Sequence, residues 1–226
     1  MKGWSIFAHS VGMVIRNLSE ALKIALVPVL IGFALVVGFT SMTGLSIGIL
    51  ADQATLKQLM SDGEMGAIFV PFILLAFVLV AVELWVFVSW HRFVLLEEYP
   101  NGWVSEFRFD RITAYAGNGL LIVLIILLSL IPISIVGGVV LFALPSVGQF
   151  LPLFIMTTVY LIFYRLSPKL PAAAVGASLS LGDAWAATKG ATGPLLVAGV
   201  STVVVQFLLQ YVAGLSVAIF PPLGIA

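Results

Sequence analysis

Glu83 is the side chain whose type and position could do chemistry. It lies within the apolar run from Ala67 to Pro100, AIFVPFILLAFVLVAVELWVFVSWHRFVLLEEYP, which is long enough to cross a bilayer. An ionised carboxylate at bilayer depth is expensive, so Glu83 must be neutral, paired or open to water. Matching depths along the other apolar segments brings Thr157, Thr158 and Tyr160 to its level, together with Thr202 and Gln206, while Arg165 could extend up from the boundary. Together these residues would make a polar pocket inside the membrane. Three readings fit Glu83: a structural hydrogen bond between helices, a carboxylate that carries a proton or contacts a substrate, or local exposure to water.

Other chemistry has little to draw on. His9 and His91 are the only histidines, and two ligands are too few for a metal site. One histidine suffices for a haem, but such a ligand ordinarily projects from within a span, and both of these sit at a span boundary. Glu97 and Glu98 with Asp110 are paired acids of the kind that solvates a wet helix end. Cysteine is absent, which removes disulfides, thiolate nucleophiles and zinc-thiolate sites. No phosphate loop, HExxH or nucleophile-and-base set occurs. The expectation is a protein that is not an enzyme, with no metal and no cofactor.

The elements that must position these groups are membrane helices. Of the 226 residues 62% are hydrophobic and 9% charged, against about a quarter charged in soluble domains. Mean hydropathy is +1.20. With formal net charge zero there is no basic surface to argue for nucleic acid. The partners expected are membrane lipid and another membrane protein or a second copy.

The fold class expected is all-α, a polytopic bundle of five spans in one membrane domain, preceded by an amphipathic interfacial helix over residues 1–23. Trp4, Phe7, Val11, Val14, Ile15, Leu18 and Leu22 fall on one face of that helix, opposite Ser5, His9, Arg16, Glu20 and Lys23. It suits either the headgroup region or packing against the ends of the spans. Charges interrupt the place where a signal peptide would have its apolar core, so the first span should stay as an anchor. The spans are expected at about 24–50, 67–90, 119–144, 150–166 and 195–220. Gly44 and Gly48 form a GxxxG in the first, suited to close helix packing, and Pro132 predicts a kink in the third.

Between the spans, Ala51 to Gly66 reads as a short acidic loop and Asn101 to Asn118 as a polar, aromatic-rich loop. Pro168 and Pro171 should break the helix after Arg165. Ser180-Leu181-Gly182-Asp183 has the S-x-x-D form that caps a helix start. Trp4, His9, Arg16, Trp90, His91, Arg92, Arg108, Arg111 and Trp185 are the expected interfacial residues, because aromatic and basic side chains gather at membrane boundaries.

Orientation follows from charge. Placing the amino end, the Asn101 loop and the Arg165 loop on one side collects Lys2, Arg16, Lys23, Arg92, Arg108, Arg111, Arg165, Lys169 and Lys189, and leaves Lys57 alone on the other. The positive-inside rule makes the first side cytoplasmic, with the carboxyl end across the membrane.

Arg165-Leu166-Ser167, Leu170-Pro171-Ala172-Ala173-Ala174, Leu181 through Trp185 and Thr188-Lys189-Gly190 resemble a segment of uncharacterised alphaproteobacterial inner-membrane proteins. They are distantly similar to the membrane domain attached to glycerophosphodiester phosphodiesterases. His9-Ser10, Asn17, Ala21-Leu22, Pro28 and Trp90-His91-Arg92 fit the same pattern. The resemblance implies a bacterial inner-membrane bundle, amino end cytoplasmic and carboxyl end periplasmic. No soluble domain with metal-binding acids and histidines is present, so it does not imply phosphodiesterase activity. The function expected is a non-catalytic accessory or scaffold subunit; the alternative is a small transporter or proton-coupled permease component using Glu83.

Overall fold

The computed structural model describes residues 3–43, 57, 65–148 and 150–219. Helices make up the fold, with no strand among the described residues: α1 (Gly3–Arg16), α2 (Leu18–Thr43), α3 (Met65–Leu96), α4 (Phe109–Ala143), α5 (Pro145–Gly148), α6 (Leu151–Leu166), α7 (Lys169–Val175), α8 (Leu181–Ala187) and α9 (Thr192–Ile219). Among the described residues three helices are long and apolar enough to cross a membrane: Leu18–Thr43, Phe69–Leu96 and Phe109–Ala143. A fourth is added if α8 and the first part of α9, bent by 91°, count as one broken span. By the composition of its helices this is a multi-pass membrane protein.

Several boundaries differ from those the sequence suggests. The amphipathic helix ends at Arg16 rather than near Lys23. Asn17 turns its amide back to the Met13 carbonyl at 2.8 Å, a local bond that competes with helix continuation. The first spanning helix therefore starts at Leu18, and the ion pair of Lys23 with Glu20, 2.8 Å, belongs to it. In the third expected span the helix begins at Phe109, not Gly119. Arg111 and Tyr115 are thus helical rather than part of a loop, and Tyr115 is buried in the core. The fourth expected span forms a helix of 16 residues, about 24 Å and short of the 20 or so residues a crossing takes. Pro171 lies inside α7 instead of breaking it, because a proline in a first turn has no intrahelical donor to lose. Of the expected acidic loop, Met65 and Gly66 belong to α3, and the rest apart from Lys57 lies outside the described residues, as do Gly44, Gly48 and Pro221-Pro222.

Other features match. Ser180 Oγ accepts from the Asp183 amide at 3.0 Å, so the expected cap starts α8. The helix carrying Glu83 continues through His91 and Arg92. Gly3 packs so closely on the start of α9 that a Cβ there would collide with the Pro194 carbonyl and Val197. Trp4, Val11, Val14 and Ile15 of α1 remain exposed.

Packing is concentrated at one end. α2 runs antiparallel to α3, with Gly32 against Leu79 and Val82 and Phe39 edge-on to Phe72 at 6.3 Å. Trp85 and Val88 of α3, Ile112 and Tyr115 of α4 and Ala174 of α7 form the core cluster, with Leu84 and Leu170 packed against it. The short helix α7 sits in this cluster because Ala173 and Ala174 have almost no side chain to exclude neighbours; both are buried. Away from that end apolar surface faces outward. Only 6% of the apolar stretch of α4 is buried within the chain, an exposure soluble monomers rarely sustain.

Gly176 ends α7 at φ +81°, where a side chain is strained, and a Cβ there would strike the Arg111 guanidinium. Gly176→Ala should cost about 1–3 kcal/mol, read as a lower thermal unfolding temperature in detergent. Gly117→Ala, in open space within α4, should not lower it.

Candidate functional site

The last turns of α3 bring Ser89 and Arg92 to the end of the bundle, where the chain leaves the helix through Glu97 at φ +53°. The following segment folds back and meets them. Arg92 Nε donates to Glu98 Oε1 at 3.2 Å and its Nη2 donates to Glu98 Oε2, while Nη1 donates to the Ala174 carbonyl at 2.9 Å. Arg108 Nε donates to the same Glu98 Oε1 at 3.1 Å, and its Nη2 pairs with Glu106 Oε2 at 2.7 Å. One carboxylate therefore bridges two guanidinium groups.

A cleft of about 440 Å³ opens beside this network. Arg92, Arg108, Glu98 and Glu106 line it together with Ser89, Ser105, Asn101, Tyr99 and Ile24. Ser89 and Ser105 are buried. Ser105 Oγ has no hydrogen-bond partner among the described residues, an arrangement that costs free energy unless something else supplies the bond. Hydrogen bonds from Arg92 hold the Glu98 carboxyl below its ordinary value, outweighing the opposing effect of its partial desolvation; the charges of Arg92 and Arg108 add to the lowering.

The polar pocket expected around Glu83 does not assemble as expected. Glu83 is exposed on α3. Thr157 and Tyr160 instead line an apolar cleft of about 160 Å³ between α6 and α9, with Tyr164, Gly199 and Val200. Glu83 is not among its lining residues. Thr202 Oγ1 donates to its own helix at the Ala198 carbonyl, 3.0 Å, as Thr158 Oγ1 does at the Phe154 carbonyl, 2.9 Å. Gln206 is exposed.

Arg165 does not extend toward Glu83. Its Nη1 donates to the Trp185 carbonyl at 3.2 Å, its Nη2 to Thr192 Oγ1 at 3.0 Å, and its guanidinium carbon lies 4.6 Å from the Trp185 ring centre. Thr188 Oγ1 donates back to the Arg165 carbonyl at 3.3 Å. The guanidinium turns away from the span because α8 offers it an indole face and a carbonyl, partners the apolar interior lacks.

Among the expected interfacial residues, Trp4, His9 and Arg16 are exposed on α1, and the Trp90 ring packs on Phe93 at 5.4 Å. His91 Nδ1 lies 2.7 Å from the Phe87 carbonyl and its ring 5.7 Å from Tyr115. Arg111 pairs with Asp110 at 2.9 Å. No group of three His, Asp or Glu side chains suited to a metal occurs among the described residues. Sequence reasoning missed Ser89, Ser105 and the bridging part played by Glu98. Nothing in the sequence separates a buried loop serine from a solvated one, though the coexistence of Arg92, Glu98 and Arg108 around a turn was a signal for Glu98.

Compared with known proteins, the chain matches no family model, no curated protein and no solved structure. The resemblance noted in the sequence accordingly supplies no residue role here.

Because the folded carboxyl of Glu98 sits below its ordinary value of 4.5, its contribution to stability is present above that value and is lost as pH falls through the lower, folded one. Thermal unfolding in detergent at neutral pH and at about pH 3 should show this loss. Glu98→Gln should be less stable than the parent at neutral pH and should show a smaller drop on acidification.

Proposed function

We propose that this chain is a non-catalytic accessory or scaffold subunit of the bacterial cytoplasmic membrane, holding a helix of another membrane protein against α3. The observation that carries this is the outward position of Glu83. It lies near mid-length of a helix long and apolar enough to span. Val80 and Phe87, both exposed, lie three residues before it and four after it and so share its side of the helix. A carboxylate facing acyl chains at that depth costs about 2.5–3.5 kcal/mol on insertion scales. A partner helix bearing a hydrogen-bond donor removes that cost and covers the apolar stripe as well.

In this reading the chain crosses five times, with α5 and α6 together making the fourth passage and α1 lying along the boundary by its exposed Trp4, Val14 and Ile15. The end that gathers Arg92, Arg108, Arg111, Arg165 and Lys169 is cytoplasmic, as the distribution of Lys and Arg requires, and the carboxyl end is periplasmic. The transporter alternative would need Glu83 to line a wet cavity, and its exposed place on α3 favours a helix contact instead.

The absence of cysteine allows a direct test. In native membranes Phe87→Cys, alkylated with a thiol-reactive reagent that carries a photoactivatable group, should cross-link to another polypeptide on illumination. Glu83→Gln, which keeps a hydrogen-bonding amide, should retain that yield. Glu83→Leu should lower it about five-fold, the equivalent of one interhelical hydrogen bond of about 1 kcal/mol. No cross-linked polypeptide from Phe87→Cys, or equal yields with Gln and Leu at position 83, would defeat the reading.

A further inference from the structure

We propose that the cleft between the end of α3 and the 97–108 segment binds the headgroup of a zwitterionic phospholipid carrying a primary ammonium, of the phosphatidylethanolamine type. The cleft does not involve Glu83, so it stands or falls apart from the subunit-docking reading.

Among the described residues four charged side chains line it, and their formal charges cancel: Arg92 and Arg108 against Glu98 and Glu106. A neutral site with separated charges of both signs suits a ligand that is itself neutral and dipolar, whereas an anion would gain from the arginines and lose to the glutamates. The phosphate end has its donors. Ser105 is 6% exposed, and its hydroxyl has no partner among the described residues although it sits in the wall of the cleft. Asn101 adds an amide. The ammonium end has acceptors in Glu98 and in Glu106, which is 66% exposed and engages Arg108 through Oε2 alone in the ion pair. Carboxylate oxygens are matched by N–H donors. A quaternary ammonium has none and is recognised by aromatic cages, and Tyr99 is the one aromatic residue lining this cleft among the described residues.

Position agrees with chemistry. The cleft lies where the apolar length of α3 gives way to charge, and α2, whose buried Ile24 forms part of the wall, carries exposed Leu26, Leu30 and Phe33 farther along. Acyl chains lying on such a helix place their headgroup at its polar end.

The test uses the full-length protein in a neutral detergent, offered equal amounts of phosphatidylethanolamine, phosphatidylcholine and phosphatidylglycerol with identical acyl chains, the retained lipid being measured by mass spectrometry. Phosphatidylethanolamine should be retained about ten-fold over each of the others, the ratio expected for charge-assisted hydrogen bonds that only it can complete. Glu106→Gln removes one negative charge from an exposed position, so the fold should survive, and it should shift the preference toward phosphatidylglycerol by roughly ten-fold. Ser105→Ala should lower phosphatidylethanolamine retention roughly five-fold with no fall in unfolding temperature. Equal retention of the three lipids, a preference for phosphatidylglycerol in the parent, or a lipid preference unmoved by Glu106→Gln would overturn the proposal. Displacement of the lipid by an equal concentration of water-soluble glycerophosphoethanolamine would overturn the lipid as the source of the headgroup.

Discussion

A single guanidinium group, that of Arg92, joins the end of α3 to the turn that follows it and to α7, 82 residues farther along the chain. It grips the Glu98 carboxylate with two of its nitrogens and gives a third hydrogen bond to the Ala174 carbonyl of α7. The carbonyl it takes is near the end of a short helix, where intrahelical donors run out and a cation is favoured. The 97–108 segment is thereby folded back over α3, and α7 is held in the core between α3 and α4. Around this point the cleft, the bridging glutamate and the core cluster are all arranged.

The second latch follows the same logic with different partners. Arg165 stacks on Trp185 and bonds to Thr192, so α6, α8 and the start of α9 are tied together at the polar end. Gly199 lets Tyr164 approach α9 closely; a Cβ there would lie 2.8 Å from the ring. Close approach by small residues matters here because lipid is as apolar as the helix faces, so packing and hydrogen bonds, not expulsion of water, must hold membrane helices together. A structure built this way concentrates its specific contacts where polar groups are permitted and leaves long apolar faces outward.

Those outward faces give Glu83 its meaning. A carboxylate inside the bundle would point to an internal polar site, whereas Glu83 is exposed beside the exposed Val80 and Phe87. The polar end differs in kind. There charges of both signs compensate one another within the chain, and the hydroxyl of Ser105 alone is left buried without a partner among the cleft's described side chains. In the two proposals made above, one face would meet a protein helix and the other a small dipolar group.

The sequence by itself determined that the chain is helical and crosses a membrane more than once, that Ser180 caps a helix, and that the α3 helix carries His91 and Arg92 at its end. Hydrophobic length and cap chemistry are written in consecutive residues, so they can be read without the fold. Only the tertiary structure decided that α7 enters the core, that Arg165 turns toward Trp185, that Glu98 bridges Arg92 and Arg108, and that Glu83 faces out. A helix apolar on every side carries no periodic mark of which face meets its neighbours. Long arginines can reach several partners, and the one they take depends on which carbonyls and rings the rest of the chain brings within range.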